Sequence, residues 1–359
     1  MGMTALPPLA TADLDHVLDH TQPLWDKLRG QSIFLTGGTG FFGCWLLESF
    51  VHANDRLNLD ATATVLTRSP AAFRAKVPHL AAHPAVRLIH GDMCDCAGLD
   101  VKAACVIHAA AEAWLPSSAT RPTEAFDRNV TATRQALELA RRCGARRFLF
   151  ASSGAVYGRQ PTEVPRIPED FAGAPDPLDP LTTYGQAKRV SEFMCAAAAR
   201  QHGFDAVVAR CFAFVGPHLQ LDAGYAIGNF IRDALAGGPI NVNGDGTPYR
   251  SYLYAADLAV WLWTILLRGQ PGRAYNVGSD AELPIRQLAG EVRDVAAPRA
   301  EVKVAKQAIP GRPTERYVPS IERARRELGL DVWVSRTDAI ARTVAWYRDT
   351  VRAKTEAGS

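Results

Sequence analysis

From Gln31 onward, short apolar runs alternate with longer amphipathic stretches. Ile33–Thr36, Thr62–Thr67, Val86–His90, Cys105–His108, Arg147–Ala151 and Ala206–Phe212 read as strands. Phe41–Val51, Glu124–Cys143 and Tyr184–His202 have the apolar spacing of helices. Strands alternating with helices predict an α/β fold: a Rossmann-type, doubly wound parallel sheet with helices on both faces. After Gly216 the regularity weakens. Short strands at Ile240–Val242, Ser251–Tyr254 and Ala274–Val277 mix with helices near 225–236, 256–268, 284–296, 320–328 and 336–352. That pattern suggests a smaller mixed domain at the carboxyl edge of the sheet, where open α/β sheets bind ligands. We therefore divide the chain into a helical extension (1–30), a nucleotide-binding domain (31–215, completed by parts of 240–280) and a mainly substrate-binding segment (216–359). In the extension, Leu14, Val17 and Leu18, then Leu24, Trp25 and Leu28, recur at helical spacing around Pro23. This predicts two short helices clamped on the main domain, with a subunit contact as the alternative.

Composition adds exclusions. The 359 residues are 47% hydrophobic and 21% charged, with a net charge of +3 from 40 basic and 37 acidic residues. Those values describe a globular protein and give no reason to expect nucleic acid or an anionic membrane as partner. Seven scattered cysteines, an odd number, lack zinc-site spacing, so no metal is expected and a reducing compartment is. No signal-peptide pattern and no long apolar run are present, so the expected location is cytoplasmic.

The first strand runs into Thr36-Gly37-Gly38-Thr39-Gly40-Phe41-Phe42-Gly43. Glycines at 37, 40 and 43 permit a tight turn, close backbone approach to a pyrophosphate and tight helix–strand packing. The following helix offers its free N–H groups to phosphate. The segment Gly37 to Gly43, including Thr39, Phe41 and Phe42, is thus a candidate dinucleotide site. The second strand ends in Thr67-Arg68-Ser69, without the acidic residue that holds a ribose 2′-OH in NAD-selective folds. Arg68 and Ser69 could pair with a 2′-phosphate, which leans the choice between NAD and NADP slightly to NADP. Asp92, beside Met93, could take the adenine amino group.

Tyr184 and Lys188 are one helical turn apart. A nearby ammonium favours a phenolate, which would make Tyr184 a general acid/base near neutral pH. Together with Val106-Ile107-His108-Ala109-Ala110-Ala111 and Ser152-Ser153-Gly154-Ala155-Val156-Tyr157-Gly158, these motifs resemble the extended short-chain dehydrogenase/reductases. Within them the chain is most similar to the NAD-dependent epimerase/dehydratase branch acting on nucleotide sugars, over roughly 31–330. The resemblance implies a tightly bound NAD or NADP contacted by the glycine turn, Ala109, Ala110 and Ala111. It implies that Tyr184 exchanges a proton with the sugar, that Ser153 bonds the same oxygen, and that Lys188 binds the nicotinamide ribose. It also implies Arg250 and Arg312 on the substrate diphosphate, Asn229 on the substrate, and a homodimer through the helices 124–143 and 184–202.

Dehydratases of this pattern carry an acid directly after the strand-end Ser/Thr, because water elimination needs a proton shuttle. Gly154 and Ala155 cannot move protons. The expectation is therefore a nucleotide-sugar epimerase working by transient oxidation at C4. The alternatives are an NADPH-dependent ketoreductase, a dehydratase using Glu112 as a non-standard acid, and a non-catalytic cofactor sensor. Ala213 stands where sugar epimerases of the family commonly have Asn, so one sugar contact must be supplied elsewhere.

Overall fold

The computed structural model describes residues 5–111, 120–311 and 313–357. Its centre is a seven-stranded sheet of β1 (Ser32–Thr36), β2 (Thr62–Thr67), β3 (Val86–His90), β4 (Cys105–His108), β5 (Arg147–Ser153), β6 (Asp205–Cys211) and the late strand Ala274–Val277. The order is Ala274–Val277, β6, β5, β4, β1, β2, β3, and every pairing is parallel. β4 and the middle of β5 are buried throughout, as strands covered on both faces must be. The winding direction reverses between β1 and β4, which opens a crevice at their carboxyl ends. β5 runs on past β4, so Ser152 and Ser153 still pair with Arg210 and Cys211 of β6.

Helix α1 (Thr11–Thr21) and the turn Gln22–Leu28 clamp onto the helix Ala255–Arg268. That helix is apolar on every side and needs cover on both faces. Trp25 packs on Trp263 with ring centroids 4.8 Å apart. Tyr254 donates to Asp13 at 2.6 Å, and His16 meets the buried Asp257 at 2.8 Å. Asp257 also accepts the N–H groups of Trp333 and Val334 at 3.0 Å, tying the C-terminal segment to the same place.

The substrate side is built from small pieces. Tyr249–Arg250 pairs antiparallel with Leu283–Pro284 and parallel with Arg316–Tyr317, while Ile240–Val242 pairs with Val302–Val304. The strands at Arg316–Tyr317 and Val302–Val304 have no period to betray them in sequence. The short helix Pro70–Lys76 also went unforeseen, although Ser69 caps it by accepting the Ala72 N–H. Among the described residues, no helix is long and apolar enough to cross a membrane and no cluster fits a metal ion.

Candidate active site

The turn after β1 is shaped by close approach. Gly37 has φ of +75°, and a Cβ there would lie 2.5 Å from the Ala110 nitrogen. Only glycine lets β1 and β4 come this close. A Cβ on Gly43 would lie 2.3 Å from Gly38, so the helix α2 (Phe41–Leu57) starts directly against the turn. Gly40 differs. Its backbone is extended, and a Cβ would make only an ordinary contact with the Gly37 oxygen at 3.5 Å. The fold does not need glycine there, whereas a pyrophosphate laid on the bare backbone does. No side chain caps α2, which leaves its first-turn N–H groups for a ligand. The side chains of Phe41 and Phe42 pack on each other, and Phe42 packs on Phe214, so these two offer backbone only.

A cleft of about 1010 Å³ runs from this turn, lined among others by Thr39, Arg68, Asp92, Met93, Ala110 and Tyr225. Ala109 and Ala111 line it too. Its size and bare-backbone floor fit a dinucleotide. Arg68 stands exposed at the rim, whereas the Ser69 hydroxyl is engaged as the cap of Pro70–Lys76. Asp92 accepts the Cys94 N–H at 2.8 Å, and that bond holds its carboxyl below the usual range; Arg128 stands 3.4 Å away. Lys76, which no sequence motif marks, bonds the Thr39 oxygen with its ammonium at 3.0 Å beside the turn.

Tyr184 and Lys188 lie on the helix Thr183–His202, which packs against β5. Lys188 is buried and donates to the Ala151 oxygen at 2.7 Å. Burial lowers its ammonium to about 8. Its Nζ is 5.6 Å from the Tyr184 ring centroid. The expectation that Lys188 lowers the Tyr184 phenol does not hold for the chain alone. Burial pushes Tyr184 up, and the lowering partner is the Ser153 hydroxyl. Desolvation wins because the lysine charge is itself destabilised and bonded to backbone. Ser153 thus bonds Tyr184, while Ser152 turns away to donate to Glu192 at 2.6 Å.

A model of the NAD dependent epimerase/dehydratase family matches residues 33–278. The chain belongs to this family. It is 30% identical over 317 residues to UDP-glucuronic acid decarboxylase 1 of Xenopus tropicalis, covering 88% of this chain and 72% of that one. To dTDP-glucose 4,6-dehydratase of Streptomyces antibioticus it is 30% identical over 323 residues, covering 89% and 92%. Among solved structures, a dTDP-glucose 4,6-dehydratase of Streptomyces venezuelae with NAD and TYD bound superimposes with a TM-score of 0.76 at 27% identity, covering 89% of this chain and 97% of that one.

Within this epimerase/dehydratase frame, the surroundings of Ser153 are the informative part. A Cβ on Gly154 would lie 2.7 Å from the Phe212 ring and 2.8 Å from the Tyr317 hydroxyl. Tyr317 reaches within 3.4 Å of Ser153 Oγ from the strand Arg316–Tyr317. The nearby Glu192 is spent in a two-pronged pair with Arg210, closest at 2.7 Å. Arg210 also bonds the Tyr157 hydroxyl at 2.8 Å, and that hydroxyl donates to Asn276 at 2.7 Å. Among the described residues, no carboxylate bonds Ser153 or Tyr184. Arg250 sits in register with Tyr317, half-buried, with Glu315 only at 3.8 Å. Asn229 is on the helix Ala226–Leu235, its side chain accepting from Arg232 at 3.3 Å. Glu112 and Arg312 lie outside the described residues. Tyr225, Phe212 and Tyr317 are site residues that the sequence did not single out.

Proposed function

We propose that this protein is a nucleotide-sugar 4-epimerase that works by transient oxidation of the hexose at C4. The observation that supports it is the filling of the space beside Gly154 by Phe212 and Tyr317, which leaves Ser153 and Tyr184 without a carboxylate partner among the described residues. A nicotinamide dinucleotide, held by the bare backbone of Gly37–Gly40 and the start of α2, supplies the hydride acceptor and donor. The chain's own work is with protons and position. Tyr184, which must first ionise against the burial that raises its phenol, takes the hydroxyl proton at its phenol oxygen and later returns it. Ser153 bonds the oxygen on which charge changes. Lys188, one helical turn from Tyr184 and buried, offers its ammonium to the ribose of the nicotinamide. Arg250 offers its guanidinium to the diphosphate.

A second reading, an NADPH-dependent 4-ketoreductase, is favoured by the exposed Arg68 at the adenosine rim. We also infer a homodimer, because Val190 and Phe193 stand exposed on the helix Thr183–His202. One experiment separates the chemistries. Mass spectrometry of the protein as purified identifies the retained nucleotide. Incubation with UDP-glucose, dTDP-glucose and UDP-glucuronic acid is then followed by NMR of the sugar. Inversion at C4 without net cofactor consumption supports the epimerase. Stoichiometric oxidation of NADPH with a keto sugar replaces it by the reductase. Loss of water or carbon dioxide, the reactions named for its relatives, overturns both.

A further inference from the structure

Ser153 has one hydroxyl proton and two lone pairs. One lone pair accepts the Ala155 N–H at 3.2 Å. The Tyr317 hydroxyl lies 3.4 Å from the same oxygen, at the long end for such a contact. Both Tyr184 and Tyr317 compete for Ser153. If Ser153 donates to Tyr317, it has nothing left for Tyr184 or for a sugar oxygen. If Tyr317 donates, the serine proton can point only into the reaction centre.

The surroundings favour the second arrangement. Tyr317 is set against Phe212, with ring centroids 4.7 Å apart, and in register with Arg250. Its phenol is pushed up to about 12 by burial, so it keeps its proton and remains a donor. The groups that face it are Ser153 from β5, Cys211 from β6, Arg250 from the adjoining strand, Tyr184 from its helix, and Tyr225. None of these is a carboxylate that would take the phenol proton in place of Ser153. The hydroxyl occupies the volume that any side chain at 154 would need.

We propose that Tyr317 is a positioning residue of the reaction centre. Its hydroxyl, brought by the substrate-side strand into the space left by Gly154, fills the second lone pair of Ser153 and commits the serine proton to Tyr184 and the reacting oxygen. This rests on the proton-transfer role given above to Ser153 and Tyr184. It makes the catalytic hydroxyl pair depend on a residue 164 positions further along the chain.

The test uses the cofactor-loaded protein with UDP-glucose, dTDP-glucose and UDP-glucuronic acid as probes. Tyr317→Phe keeps the ring contacts with Phe212 and removes only the hydroxyl. It should lower kcat about 10-fold, leave KM within about twofold, and shift the pH profile, the pattern of a lost transition-state interaction. In a Ser153→Ala background the same change should cost nothing more, since Tyr317 acts through Ser153. Gly154→Ala, which crowds both the Phe212 ring and the Tyr317 hydroxyl while keeping Tyr317, should reproduce the kcat loss. Unchanged thermal melting of Tyr317→Phe confirms that the fold is intact. A Tyr317→Phe enzyme with wild-type kcat and pH profile, or one whose loss adds fully to that of Ser153→Ala, overturns the proposal. Wild-type protein that converts none of the three sugars overturns instead the functional reading beneath it.

Discussion

β5 ends on two serines that face opposite sides of the sheet, and they should fail in opposite ways when truncated. Ser152 donates to the Glu192 carboxylate at 2.6 Å, in a buried setting. A hydrogen bond to a charged group is worth about 1.5–3 kcal/mol. Arg210 still neutralises Glu192 after the change, through Nε and Nη2, so the lower half of that range applies. Ser152→Ala should therefore cost about 1.5–2 kcal/mol of stability. It touches no reacting atom, so kcat/KM should stay within about twofold. Ser153 makes a 3.2 Å acceptor contact, a 3.4 Å contact to Tyr317 and a bond to Tyr184, all between uncharged groups. Ser153→Ala should cost no more than about 1 kcal/mol of stability. Loss of its hydroxyl beside Tyr184 should lower kcat about 100-fold or more. Urea unfolding followed by the fluorescence of the buried tryptophans Trp25, Trp45 and Trp263 reads the first quantity. Steady-state turnover reads the second. A Ser152→Ala protein that is fully stable but inactive, or a Ser153→Ala protein that is destabilised but active, would refute the assignment of the two serines.

Other variants test the electrostatics and the assembly. Lys188 titrates at about 8 in the folded chain against 10.5 ordinarily, so the unfolded chain binds more protons between those values and stability rises with pH across that window. Below about 8 the penalty is present in full, and Lys188→Met should gain up to about 3 kcal/mol at neutral pH while abolishing turnover, as measured by urea titration and kcat. His108 is buried between Thr36 and Thr133 and depressed to about 3 by burial, first, and by the Lys188 charge. The unfolded histidine takes up its proton near 6.5, so stability should fall as pH drops from there toward 3, and His108→Gln should flatten that slope in acid unfolding curves. Phe193, 73% exposed on the helix Thr183–His202, should be covered in the homodimer proposed above. Phe193→Asp should then shift sedimentation from dimer to monomer with the melting temperature of the monomer fold retained, and a wild-type monomer would rule out this contact.

The sheet was legible because strands buried on both faces are continuous apolar runs, and because Gly37, Gly40 and Gly43 punctuate the first crossover. Tyr184 and Lys188 were legible because helical spacing fixes their common face. Their ionisation was not, since it depends on how deeply the finished fold buries each group, and there burial pushes the phenol up and the ammonium down. The two-residue strands Tyr249–Arg250 and Arg316–Tyr317 have no period at all and exist only through their pairing. Tyr317 was hidden for that reason. Gly154 and Ala155 were legible as the lack of an acid, and this holds for those two positions. It does not describe the whole centre, because the missing Cβ of Gly154 is itself the space that Phe212 and Tyr317 occupy. A hydroxyl is thus restored beside Ser153, as a phenol that donates a hydrogen bond and not as the carboxylate that assisted water loss would use. That distinction turns a local gap in the sequence into a positive statement about chemistry. On the epimerase reading proposed above, the centre would hold an oxygen while a hydride leaves and returns; among the described residues, no carboxylate bonds Ser153 or Tyr184.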